Sequence, residues 1–147
     1  MYKKLFLALS LTVLALLSGC ASVPMASMEQ DKIAKQFSKP PQGSAGIYIY
    51  RNSNLGGALK KDIYIDGKKI GETAPMTYFF KRVKAGNHKL STESEFSDND
   101  LILQTKSGTN YFVNQYIKLG MFVGGAGLEL VSEKEGKNGV LECELAL

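Results

Sequence analysis

From Gly46 to the last residue the chain is punctuated rather than continuous. Short runs of alternating apolar and polar residues are broken by turn signals roughly every 8–12 residues, a spacing that suits only short strands. Gly46-Ile47-Tyr48-Ile49-Tyr50-Arg51 is rich in β-formers and reads as the first strand. Lys61 to Ile65 is the second. Asp66-Gly67 then marks a tight hairpin, because glycine takes the positive φ such a turn needs, and Lys69 to Glu72 returns. Met76 to Val83 is an aromatic-rich strand, and Ala85-Gly86-Asn87 a turn before His88 to Glu95. A polar turn over Ser97 to Asp100 leads to Leu101–Thr105, and Lys106-Ser107-Gly108 to Thr109–Leu119. Gly120 to Gly127 reads as a wide glycine-rich connection, Leu128–Val131 as a short strand, Glu133 to Gly139 as a charged turn, and Val140–Leu147 as a closing strand. Eight or nine strands and no helical period predict an all-β chain, a small antiparallel β-sandwich or barrel with one wet face to each sheet.

The first 20 residues carry a different pattern. Lys3 and Lys4 precede Leu5–Leu17, an apolar run interrupted only by Ser10 and Thr12, as in a secretory signal peptide. A membrane-spanning helix needs about 20 apolar residues, and this run is shorter. Leu17-Ser18-Gly19-Cys20 resembles the bacterial lipobox at all four positions. The resemblance implies cleavage before Cys20, a diacylglycerol on its thiol and acylation of the new amino group. One chain holds a protein at a bilayer only reversibly, whereas two or three on one residue anchor it stably. Ala21 and Ser22 follow Cys20 where an Asp would imply inner-membrane retention. By the same resemblance the protein faces the periplasm from the outer membrane if the host is Gram-negative, and otherwise sits on the cell membrane.

This divides the chain into a signal peptide (1–19), a lipidated cysteine with a tether (20–44) and a β-sandwich domain (45–147). The tether composition rests on Ser22, Pro24, Ser27 and Pro40-Pro41-Gln42-Gly43-Ser44. Within it a short helix is expected over 28–38, with Ser27 as N-cap and Gln30 at capping-box spacing. Either that helix docks on the domain through Ile33 and Phe37, or the stretch is a spacer; Phe37 favours docking.

Of 147 residues, 128 remain once the first 19 leave, enough for one domain with a real core. Removing Lys3 and Lys4 from the formal +4 leaves +2, so no nucleic-acid footprint is present. Of the two cysteines, lipidation consumes Cys20. Cys143 then has no partner for an internal disulfide and, sharing a face with Leu141 and Leu145, is expected in the core.

The stretch Asp62-Ile63-Tyr64-Ile65-Asp66-Gly67-Lys68-Lys69-Ile70-Gly71-Glu72-Thr73-Ala74-Pro75 resembles the opening of PEGA-type domains. Val83-Lys84-Ala85-Gly86-Asn87-His88-Lys89-Leu90 resembles their second signature. With Ile47–Arg51 before and Gly108-Thr109-Asn110-Tyr111-Phe112-Val113 after, the chain looks like a family of small bacterial lipoproteins whose domain has no known function. The resemblance covers about Gly46 to Leu147 and implies a β-sandwich of transthyretin or immunoglobulin-like type. Ala74 intrudes between Thr73 and Pro75, and Ala85 stands where Pro is common. These motifs are turn chemistry and leave function open.

No catalytic set, metal site or cofactor is expected. His88 is the only histidine, and a hydrolase would have to work through it without a visible partner. Asp98 and Asp100, with Glu93 and Glu95, lack the ligand spacing of a calcium loop. The Gly120–Gly127 run lacks the Gly-Lys-[Ser/Thr] of a phosphate loop. Two candidate contact surfaces stand out. Met121 and Phe122, with Val123, form an apolar loop tip. If Ile47, Ile49, Ile63 and Ile65 face the core, period two sends Tyr48, Tyr50 and Tyr64 to the opposite face, where Tyr78 and Phe80 could join them. That face is either packed, under the N-terminal helix, or an aromatic platform. The expected function is therefore that of a lipid-anchored, non-enzymatic envelope lipoprotein. Its partners are the bilayer through Cys20 and either another envelope protein or a second copy. The alternative is a cell-wall glycan (peptidoglycan) module using the tyrosine face.

Overall fold

Strand β1 (Ser44–Arg51) is covered on both faces in a computed structural model that describes residues 22–94, 99–120 and 124–147. Seven further strands follow: β2 (Lys61–Ile65), β3 (Lys68–Thr73), β4 (Thr77–Lys84), β5 (Gly86–Thr92), β6 (Asn99–Thr105), β7 (Asn110–Lys118) and β8 (Gly125–Val131). A two-residue β9 (Glu144–Leu145) ends the series, and two helices, α1 (Met28–Ala34) and α2 (Glu133–Leu141), complete the elements. The strands form two sheets, β8-β7-β1-β4-β9 and β3-β2-β5-β6. The all-β sandwich expectation holds, and nine strands are found among the described residues.

Local chemistry sets the turns. Asp66 and Gly67 take φ of 52° and 79°, the doubly left-handed turn that suits a two-residue hairpin. Ser27 caps α1 through the expected box: its hydroxyl accepts from the Gln30 amide, and the Gln30 side chain accepts from the Ser27 amide. The helix ends at Ala34, short of Ser38, and Phe37 follows with φ of 51°.

The inner face of the first sheet packs Ile47, Ile49, Phe79 and Val113 against Ile63, Ile65, Leu90 and Leu103 of the second. Its outer face carries Tyr48, Tyr50, Tyr78 and Phe112 beneath Ala34 of α1, Val140 of α2 and Cys143. The sandwich thus has a third layer of two helices, which covers the middle of the first sheet's outer face and leaves its ends, at Arg82, Tyr116 and Glu129, exposed. Within that sheet the ladder is also mixed: β1 pairs antiparallel with β4 but parallel with β7, and β4 pairs parallel with β9. The purely antiparallel expectation holds only for the second sheet.

Three expectations are corrected. Residues 133–139 are not a turn but most of α2, capped by Ser132, whose hydroxyl accepts from the Glu135 amide. Gly136 and Gly139 weaken its helical signal by about 1 kcal/mol each, yet they let it approach. A Cβ at Gly136 would run into Phe112, and one at Gly139 into the Tyr50 ring. Val140–Leu147 is not one strand, since its first residues finish α2 and only β9 is extended; Cys143 is buried, but Leu141 is exposed. Residues 22–44 are not a free tether. Val23 packs on the inner core, and Met25 bridges Ala146. The Leu147 amide donates to the Pro24 carbonyl at 3.0 Å, and the Ala26 amide to the Leu145 carbonyl at 2.9 Å. The Asp31 carboxylate of α1 accepts from the Leu145 amide at 3.0 Å, so the helix docks, through Ala34 and Phe37 and not through Ile33, which is exposed.

Two buried polar groups tie the layers. Gln115 bridges the sheets, donating to Thr92 Oγ1 at 2.8 Å and accepting from Thr73 Oγ1. Arg51, fully buried, donates to the carbonyls of Leu59 (2.7 Å), Leu55 (3.0 Å) and Gly56 (2.8 Å), which folds the 52–60 loop over it. It has no carboxylate partner among the described residues, and burial lowers its pKa.

Gly139→Ala is expected to destabilise the fold by about 1–3 kcal/mol through overpacking against Tyr50, measured by urea unfolding. Arg51→Met is expected to cost about 2–3 kcal/mol, the scale of its charge-assisted bonds, and to speed protease cleavage within residues 53–60. Unchanged cleavage there would separate Arg51 from the ordering of the loop.

Candidate functional site

The tyrosine face does not present a platform. Period two does send Tyr48 and Tyr50 away from the inner core, but α1 and α2 cover them, leaving 1% and 2% exposed. The Tyr48 ring stacks on Phe80 at 4.5 Å and Phe112 at 5.1 Å. Burial pushes the Tyr48 hydroxyl up to about 12, with Arg82 opposing, and burial aided by nearby acids does the same for Tyr50. Tyr48 donates to the Ala34 carbonyl at 2.9 Å and Tyr78 to the Asp31 carbonyl at 3.4 Å. Both acceptors belong to the last turn of α1, where each carbonyl also accepts a backbone amide, Asp31 from Lys35 at 2.9 Å and Ala34 from Phe37 at 3.1 Å. The tyrosine tips therefore serve to hold the helix.

Tyr64 is apart from them, on the solvent side of the second sheet, half-buried and donating to Asp62 Oδ2 at 2.8 Å. Burial works against the Asp62 carboxylate, but bonds from Lys69 and Tyr64 outweigh it and hold its pKa below the usual range. Met121 and Phe122 lie outside the described residues, as do Cys20, Glu95 and Asp98. Asp100 pairs with Lys89 at 3.3 Å and Glu93 with Lys61 at 3.8 Å. No cluster of three metal-ligating side chains occurs among the described residues.

His88 is locked rather than poised. Nδ1 lies 2.7 Å from Asp66 Oδ2, and Nε2 2.7 Å from the Lys84 carbonyl. An acceptor facing each ring nitrogen favours the doubly protonated form, which has no lone pair to offer as a base. Burial disfavours the imidazolium, but the Asp66 carboxylate and the Lys84 carbonyl outweigh it, and the pKa is raised. Asp66 is lowered in turn by the His88 bond and by the Lys89 amide, which it accepts at 2.9 Å. The contact clamps the Asp66-Gly67 hairpin onto β5.

Among the described residues, a broad concave surface lies where the chain enters the domain. A groove of about 540 Å³ is lined by Met25, Met28, Lys32, Lys35 and Leu145, among others. A second, of about 430 Å³, adjoins it and is lined by Ser22, Val23, Pro75, Met76 and Glu142; the two share Met25 and Glu144. Met28 is 90% exposed. The sequence hid this surface because residues 22–26 have the composition of a linker, and their pairing partners lie at the far end of the chain.

The His88–Asp66 pair has a readable pH signature. The raised imidazolium pKa contributes stability that is complete below about 6.5 and is lost as pH rises through the folded value. The lowered Asp66 contributes above about 4 and is lost as pH falls. An NMR titration of the single imidazole should give a pKa above 6.5, and a lower one in Asp66→Asn; equal values in both would remove the clamp.

Comparison with known proteins adds a family. An uncharacterized protein of Haemophilus influenzae (strain ATCC 51907 / DSM 11121 / KW20 / Rd) is 57% identical over 146 residues, covering 99% of this chain and 87% of that protein. No solved structure matches. A family profile described as a protein of unknown function, DUF2846, matches residues 41–126, from just before β1 to the start of β8 and short of both helices. The chain belongs to the DUF2846 family of proteins of unknown function.

Proposed function

We propose that the chain is a non-enzymatic envelope lipoprotein, anchored through acylated Cys20, whose β-sandwich serves as a protein-interaction or structural module on the periplasmic side of the outer membrane. The observation that carries this reading is Leu17-Ser18-Gly19-Cys20 placed directly after the apolar run of Leu5–Leu17. The PEGA-like turn motifs agree with it, since the small lipoproteins they resemble share this layout. His88, with both ring nitrogens engaged, supplies no base for a hydrolase. Among the described residues, no helix is long and apolar enough to cross a membrane. The glycan alternative draws on Tyr48, Tyr50 and Tyr64; the burial of the first two weighs against it, and half-buried Tyr64 stands apart on the second sheet.

Membrane fractions from cells making the wild-type chain should yield an N-terminal peptide whose mass carries acyl chains on Cys20. Cys20→Ala should leave an unlipidated, uncleaved precursor. A mature acylated product from that variant would overturn the anchor. In-cell crosslinking of the wild type, read by mass spectrometry, is expected to join it to a second protein or a second copy; no protein crosslink would count against the interaction module.

A further inference from the structure

We infer that the domain lies directly on the lipid surface, with Met25 and Met28 set into the interface, rather than standing off on a spacer. This rests on the Cys20 anchor proposed above. The paired structure begins at once: Val23 packs on the inner core, Pro24 accepts from the Leu147 amide, and Met25 bridges Ala146. Three residue steps separate Cys20 from Val23, a reach of at most about 11 Å fully extended. The polar layer on each side of a bilayer is about 6 Å thick. An acylated Cys20 sits within that layer, so what is left of the reach cannot hold the domain away.

The surface around the entry point suits that position. Met28 is 90% and Met25 38% exposed on the groove beside the entering chain, and Pro75 and Met76 line its neighbour next to Ser22. Methionine is flexible and apolar, able to settle among acyl chains without a fixed partner. Lys32 stands on the same groove without an ion pair among the described residues, within reach of lipid phosphates; Lys35 is held by Asp31 at 2.7 Å. Glu29, Glu142 and Glu144 also line these grooves, and Glu142 accepts from Asn52 at 2.8 Å. The acids favour a shallow contact at the headgroups over deep insertion.

The test uses the full-length acylated protein in vesicles of phosphatidylethanolamine with a minor share of phosphatidylglycerol. A fluorophore is placed at Met28→Cys or, as a control, at Ile102→Cys. Ile102 is 68% exposed on β6, which lies along β8 through the Asn99–Ala126 bond, at the opposite edge from β9. That is four strand spacings, or about 19 Å, across the sheet. Cys20 is acylated, and Cys143 is buried with its thiol pushed up to about 12, first by burial and then by Glu142, so neither competes for the label. Lipids brominated near the headgroup end of the acyl chain are expected to quench the Met28 label several-fold more than the Ile102 label. Equal and weak quenching at both sites, with acylation of Cys20 verified by mass, would overturn the apposition and leave the anchor intact. Wild-type protein from membrane fractions with Cys20 unmodified by mass, or vesicle binding that persists without the acyl chains, would overturn the anchor itself.

Discussion

The fold depends on a strand that cannot touch water on either face. Seven of the eight residues of β1 are buried, with Ile47 and Ile49 on one side and Tyr48 and Tyr50 on the other. A strand of that kind must lie inside its sheet and must be roofed twice. The second sheet is one roof and the two helices are the other. The parallel pairing of β1 with β7 follows from the same demand. Parallel neighbours require a long crossover, and the chain uses it to build the second sheet: β2 and β3 leave the first sheet, β4 returns to pair with β1, β5 and β6 leave again, and β7 closes the other flank.

Buried polar groups then fix what apolar packing leaves free to slide. Gln115 accepts from Thr73 and donates to Thr92, and Thr92 in turn donates to the Asp62 carbonyl at 2.8 Å. A shift of β7 against the second sheet would break this set inside the protein, where an unmade hydrogen bond is expensive. Arg51 plays the same part at the end of β1. Its Nη groups donate to carbonyls rather than to a carboxylate, so those bonds require the 52–60 loop to fold inward. The tyrosine hydroxyls complete the pattern by engaging carbonyls at the end of a seven-residue helix too short to be stable by itself.

What could be read from the sequence was local. The Asp66-Gly67 hairpin, the Ser27–Gln30 capping box and the strand Lys61–Ile65 each rest on neighbours in the chain, and the structure has them where they were expected. What could not be read was pairing at a distance. The alternation of Ile and Tyr in β1 marks two faces but is silent on whether the tyrosine side meets solvent or a helix. The helix that settles this over Tyr50 contains two glycines, and its propensity is low because close approach to Tyr50 and Phe112 leaves no room for a Cβ. The Ser132–Glu135 spacing was the one signal that could have revealed it. Ser22, Pro24 and Ser27 look like a linker for a related reason. Proline and serine are poor strand formers, but at a sheet edge a few backbone bonds suffice, and here those bonds come from Leu145 and Leu147.

That last pairing gives the candidate site its physical character. The entering segment and the C-terminus hold each other: the Pro24 and Leu145 carbonyls accept from the Leu147 and Ala26 amides, and Asp31 of α1 accepts from the Leu145 amide. Beside them Ala146 reaches the inner core. Any load on the proposed anchor at Cys20 would fall first on these bonds, at the edge of the sheet, and only then on β4 and β1. Their amides and carbonyls would be exposed to water if the segment peeled away, and β9 would lose the covering that keeps it from acting as an open edge. With Cys20 acylated, the same residues that close the fold would also bear on its orientation, because pairing begins at Val23 and Pro24, three residue steps from the proposed anchor.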